Sequence, residues 1–122
     1  MELKEDYVSL EIAKLLKEKG FDLECLSWYS TKGNLYHYAD SFEMDLDGIT
    51  ELCSTPTLQM TMKWLREKHN VCIIPSLYDG KGGFYCFVYT NNYRSVKVLN
   101  RRCNTYESAC ENAIKYCLET LI

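Results

Sequence analysis

The sequence is poor in the residues that mark most function classes. It has 2 prolines and 2 histidines in 122 residues, and no two of its 7 cysteines stand in C-x-x-C spacing. Zinc sites usually draw two ligands from one tight turn, so a zinc centre has little support. No apolar run approaches the ~18 residues that span a bilayer. Basic residues are outnumbered, 14 Lys and Arg against 17 Asp and Glu, for a net charge of −3. A non-specific nucleic-acid binder needs a cationic surface to displace counterions, so nucleic acid is an unlikely partner. No repeat or low-complexity stretch is present. Met1–Asp6 is highly charged and lacks the apolar h-region of a secretory signal.

What is present describes an ordinary globular chain. Hydrophobic residues make up 47% and charged residues 25%, which argues against disorder. A length of 122 residues fits one domain, 1–122, able to bury a single core. The cysteines (25, 53, 72, 86, 103, 110 and 117) are odd in number. Several fall on apolar positions of helices and strands, where Cys behaves as a small hydrophobe. They read as free core thiols of a reducing compartment, which implies a cytoplasmic protein without membrane contact. Charge is unevenly spread: residues 1–55 carry −7 and residues 56–122 carry +4. Such a molecule can attract unlike surfaces at its two ends, another copy included.

The pattern predicts helix 1 over about 9–19. Ser9 is its cap, and Val8, Ile12, Leu15 and Leu16 form its apolar stripe. Gly20 stands where a left-handed terminal residue belongs, and Phe21 follows, placed to touch Leu16. Strands are expected at 22–29 and 34–39, then an acidic loop from Asp40 to Ser54. Helix 2 is expected to start with Thr55 as cap and Pro56 in its first turn, and to end near His69-Asn70. Three further strands are expected at about 71–78, 84–90 and 95–100. Pro75 pushes the first of these to an edge, and the second is apolar on both faces, as a central strand would be. Helix 3 starts after Thr105, with Cys110, Ala113, Ile114, Cys117, Leu118 and Leu121 on one stripe. The expected class is α+β: an antiparallel sheet of about five strands with three helices, in the order α-β-β-α-β-β-β-α.

Each candidate site has a bland competitor. Glu43-Met44-Asp45-Leu46-Asp47-Gly48 imitates the first half of a calcium loop, but position 12 would be Ser54 instead of a bidentate Glu. Gly80-Lys81-Gly82-Gly83 could cradle a phosphate, yet it joins two strands and lacks a G-K-[ST] ending. From Thr55 onward the element order matches the layout of a double-stranded-RNA-binding domain. The last helix opens with Thr105-Tyr106-Glu107, acidic where that family carries lysines. Catalysis lacks a constellation: His37 and His69 are the only histidines, and Cys72 near His69 has no third orienting group. No metal or cofactor is implied, and the chain reads as a non-enzyme.

Aromatics carry the strongest hint. Ten tyrosines are many for this length, and Trp28, Tyr36, Tyr38, Tyr85, Phe87 and Tyr89 all fall on expected strands. Helices are too few to cover both faces of a five-stranded sheet. Trp28, Tyr36, Tyr38 and Phe87 are therefore the candidate interface of a homo-oligomer. Tyr85 and Tyr89 with Arg94, Lys97, Arg101 and Arg102 are the candidate ligand set. The rings would stack on a base and the cations would hold phosphate.

Two segments carry a resemblance. One is Thr55-Pro56-Thr57-Leu58-Gln59-Met60, continuing to Lys63-Trp64-Leu65-Arg66-Glu67 and His69-Asn70. The other runs from Asn104-Thr105-Tyr106-Glu107 through Ala109, Cys110, Ala113, Ile114 and Tyr116 to Leu121-Ile122. Together they resemble a family of short proteins encoded by gut Bacteroidetes and their phages, more closely in the second half than the first. The resemblance implies a cytoplasmic accessory protein of a phage or mobile element and transfers no site residues. The expected function is non-enzymatic binding, by analogy counter-defence through sequestration of a nucleotide signal or blocking of a host protein. The alternatives are a protein–protein adaptor using an aromatic sheet face, and an RNA-binding module.

Overall fold

A computed structural model describes residues 3–38, 47–80 and 82–122. The chain forms two compact units, residues 1–57 and 58–122. The class is α+β, with three helices and two three-stranded antiparallel sheets among the described residues.

In the first unit α1 spans Leu10–Glu18. The Ser9 side chain accepts from the Ile12 N–H, so the expected cap is present. Beyond the helix Gly20 has φ +88°, a left-handed conformation that costs glycine little. That turn lets the Phe21 N–H reach the Leu16 carbonyl at 2.9 Å and the Gly20 N–H reach Lys17 at 3.3 Å. These are the two bonds of a Schellman ending, and they bring the Phe21 ring into the core beside buried Leu16. Strands β1 (Ser27–Ser30), β2 (Leu35–His37) and β3 (Glu51–Ser54) follow, in the sheet order β2-β1-β3. Helix α1 packs against β3. The Tyr29 hydroxyl donates to the Val8 carbonyl at 2.9 Å, and the Val8 N–H donates to Pro56 at 3.2 Å. These bonds tie the chain's start to its sheet.

In the second unit α2 (Leu58–His69), β4 (Cys72–Leu77), β5 (Phe84–Thr90), β6 (Ser95–Cys103) and α3 (Tyr106–Tyr116) are followed by a wider π-turn, Cys117–Leu121. The sheet order is β4-β5-β6, so Pro75 lies on an edge strand and β5 in the centre, as expected. Helices α2 and α3 pack on each other, and both contact the sheet. Thr105 caps α3 by accepting from the Ser108 N–H at 3.0 Å. Ala109, Cys110, Ala113, Ile114, Cys117 and Leu118 are all buried, so the apolar stripe of the last helix is core as far as Leu118, whereas Leu121, expected on the same stripe, is 37% exposed.

Three expectations need correction. Among the described residues there is no single sheet of about five strands: six strands divide into two sheets, and the order becomes α-β-β-β-α-β-β-β-α. The extra strand, β3, lies in the stretch read as an acidic loop. With four residues and one buried side chain it leaves almost no alternation to detect. The first strand begins at Ser27 instead of residue 22, because Leu23 and Leu26 face solvent and Asp22–Glu24 pair with no strand. Thr55 and Pro56 do not open α2. Thr55 is fully buried and its N–H donates to Ser27 at 2.8 Å, extending the β1–β3 ladder, so the helix starts at Leu58.

Candidate functional site

The two faces of the second sheet differ sharply. Ile73, Cys86 and Val88 are buried, and the Cys86 thiol donates to the Ala109 carbonyl of α3 at 3.3 Å. That is the helix-covered face. The register Cys72↔Tyr89, Ile74↔Phe87 and Ser76↔Tyr85 on one side, with Phe87↔Val98 and Tyr89↔Val96 on the other, fixes the opposite face. Along the regular register its occupants are Cys72, Ile74, Ser76, Tyr85, Phe87, Tyr89, Val96 and Val98, with no charge among them; opposite Tyr85 the register shifts and Asn100, Arg101 and Arg102 adjoin. Ile74 is 45% exposed, Val96 52% and Val98 43%. The three aromatics are half-buried and lean on one another: ring centroids lie 5.1 Å apart for Tyr85–Phe87 and 6.3 Å for Phe87–Tyr89. Tyr78 meets Tyr85 edge-on at 5.7 Å. Side chains propped in this way lose little further freedom on binding, which suits them as anchors.

The candidate interface residues are divided between the units. Phe87 stands at the centre of the open face. Trp28 is buried and stacks on Tyr36 at 4.7 Å with an interplanar angle of 25°, so it is core of the first unit. Tyr38 is exposed at the end of β2.

The candidate ligand set is not gathered. Tyr85 and Tyr89 share the open face. Lys97 opposes Val88 and so projects from the helix side. Arg94 sits in the β5–β6 turn, where its N–H donates to Asn91. Arg101 and Arg102 lie at the other end of β6, in the register shift opposite Tyr85, and Arg102 is turned back on the chain. Its Nε donates to the Gly82 carbonyl at 2.8 Å and its Nη1 to Asn104 at 3.5 Å.

The glycine turn is built as a hairpin. The Gly82 carbonyl accepts from Arg102 and the Gly83 carbonyl from the Tyr78 N–H. Gly83 has φ +90°, and a Cβ there would stand 2.7 Å from the Cys103 carbonyl oxygen. Lys81 and most of the calcium-like segment, Glu43–Leu46, lie outside the described residues. Among the described residues no group of three or more His, Cys, Asp or Glu could hold a metal. No helix there is long and apolar enough to cross a membrane.

All seven cysteines are free thiols. Cys53, Cys86, Cys110 and Cys117 are buried; Cys25, Cys72 and Cys103 are partly exposed. Burial pushes the Cys86 and Cys117 thiols up to about 12 and Cys110 up to about 11, with Glu107 adding to the last. Thiols held protonated in this way are poor nucleophiles.

Two features escaped the sequence. Ser27 and His37 share a hydrogen bond through Nδ1, an alcohol beside an imidazole. Ser27 is 1% exposed, and the residues stand opposite each other on β1 and β2, so the pair fastens the sheet. The second feature is a groove of about 480 Å³ lined by Lys17, the chain from Phe21 to Glu24, and β3 from Glu51 to Ser54. Its residues are far apart in the chain, and with β3 unrecognised nothing signalled that they meet. Comparison with protein families, curated proteins and solved structures found no match for this chain.

Proposed function

We infer that this protein is a non-enzymatic binding protein that works through the open face of β4-β5-β6, and that the first occupant of that face is a second copy. One observation carries the reading. Eight positions of an exposed sheet face hold no charge, and three of them are aromatics with exposed Ile74, Val96 and Val98 around them. Monomeric soluble proteins rarely show contiguous apolar patches larger than a few hundred Å². These eight positions are complementary to themselves, because pairing them strands no ion. In the phage or mobile-element setting that the resemblance implies, the same face would block a host protein, a counter-defence role by occlusion. Sequestration of a nucleotide has weaker support, because Lys97 projects from the other side of the sheet and Arg102, near Tyr85, is bonded back to Gly82 and Asn104. A thermal-shift screen with cyclic nucleotides tests that alternative. Ligand at ~100 times its Kd would add ~2.7 kcal/mol, and such a gain would favour sequestration over the adaptor.

Light scattering tests the main reading. The wild-type protein is expected to have a dimer's mass at micromolar concentration, and Phe87→Ser with Val98→Ser a monomer's mass with an unchanged fold by circular dichroism. A wild-type monomer, or a double variant that stays dimeric, would overturn it.

A further inference from the structure

The groove of the first unit has the form of a slot for one extended strand. One wall is the edge of β3 that pairs with no strand among the described residues, its other edge being paired with β1. The Thr55 N–H donates to the Ser27 carbonyl, so by the alternation of an antiparallel ladder the main-chain groups of Ser54 turn outward. The Leu52 carbonyl also faces the slot. There it accepts from Lys17 Nζ at 2.7 Å, a flexible side chain standing where the N–H of a neighbouring strand would stand. The other wall is Asp22–Glu24. Among the described residues it has no regular structure, and its main chain makes no backbone–backbone hydrogen bond. The rim carries three carboxylates, Asp22, Glu24 and Glu51, against the single ammonium of Lys17.

We propose that this groove binds an extended, basic segment of a partner protein by strand addition between β3 and Asp22–Glu24. Main-chain bonds to β3 would supply the affinity, and the carboxylate rim would select Lys and Arg at alternate positions. The occupant is a single strand because the slot has a wall on each side. The basic edge strand β6 of a folded second copy has only one free edge, the other being held by β5. Lys17 is a stand-in that the incoming N–H displaces. The proposal is independent of the open face, since every lining residue lies between 17 and 54.

Fluorescence anisotropy on the full chain provides the test. The probes are a labelled peptide of alternating Val and Lys/Arg, a Glu-for-Lys/Arg copy, and a basic copy with alternate main-chain nitrogens methylated. The basic peptide is expected to bind, more weakly as salt rises. The acidic copy should not bind. The methylated copy, which keeps its charge and loses donors, should bind about tenfold more weakly or worse. Glu24→Lys with Glu51→Lys should abolish binding, and Lys17→Ala should tighten it roughly threefold by removing a competing cation. Phe87→Ser with Val98→Ser should bind the peptide as the wild type does, which separates this proposal from the open-face reading. No binding of the basic peptide overturns the proposal, as does equal binding of the methylated copy. Unchanged or weaker binding after Lys17→Ala would also overturn it. Salt-sensitive self-association without peptide binding would give the groove to a second copy and reject the proposal too.

Discussion

The three thiols of the second core, Cys86, Cys110 and Cys117, should make the protein sensitive to alkali. In the unfolded chain each ionises near 9.0, whereas in the fold burial holds them protonated up to about 12, about 11 and about 12. Folded pKa values raised in this way favour the unfolded chain once it can ionise. Their contribution to stability is whole below pH 9 and is lost as pH rises through the window from 9 to 12. Within that window one thiol gives up about 1.4 kcal/mol per pH unit. At about pH 10 the three together remove about 4 kcal/mol, a large part of the ~5–15 kcal/mol that holds a domain folded. The assay is urea unfolding at about pH 7 and about pH 10, for the wild type and for Cys117→Ala. Tyrosines and lysines titrate in both proteins and cancel in the comparison. The alkaline loss should be about 1.4 kcal/mol smaller in the variant. Equal losses in the two proteins would refute the reasoning, since Cys117 would then ionise as freely folded as unfolded.

Other substitutions test particular parts of the fold. Leu118→Ala should cost about 2–5 kcal/mol in urea unfolding, because Leu118 is wholly buried and its removal leaves a cavity. Gly83→Ala should cost about 2 kcal/mol or more, from left-handed backbone and a Cβ pressed on the Cys103 carbonyl; the thermal midpoint reads it. Thr105→Ala should cost about 1 kcal/mol by unstoppering α3, and Thr105→Ser should recover most of it.

Local signals in the sequence were legible where one element decides its own form. Ser9, Gly20 and Phe21 announced both ends of α1, and Thr105 announced the start of α3. Cys110, Ile114, Cys117 and Leu118 marked a stripe whose burial follows from helical spacing alone. The alternation of Tyr85, Phe87 and Tyr89 against Cys86 and Val88 showed a central strand with two apolar faces, though it could not show which face the helices cover. Long-range arrangement was not legible. Sequence alone groups Lys97 with Tyr85 and Tyr89, but the β5–β6 register sets it opposite Val88, on the other side of the sheet. Trp28 looked like an interface residue because strand aromatics read alike, and its stacking on Tyr36 within the first unit is a matter of pairing. Strand β3 was hidden by its shortness, and with it the division into two sheets and the groove beside Lys17. Thr55-Pro56 imitated a helix start because its residues suit a cap, while its backbone was already committed to the ladder with β1.

The open aromatic face of β4-β5-β6 is the surface through which the protein is proposed to act. Hydroxyl-radical footprinting of the wild-type protein, dilute and concentrated, addresses it residue by residue. Protection on concentration is predicted at Ile74, Phe87, Val96 and Val98, with Met60 and Leu121, which are exposed on the helical side of the same unit, modified equally in both samples. Protection confined to other residues, or none at any concentration, would contradict the claim that this face pairs with a second copy.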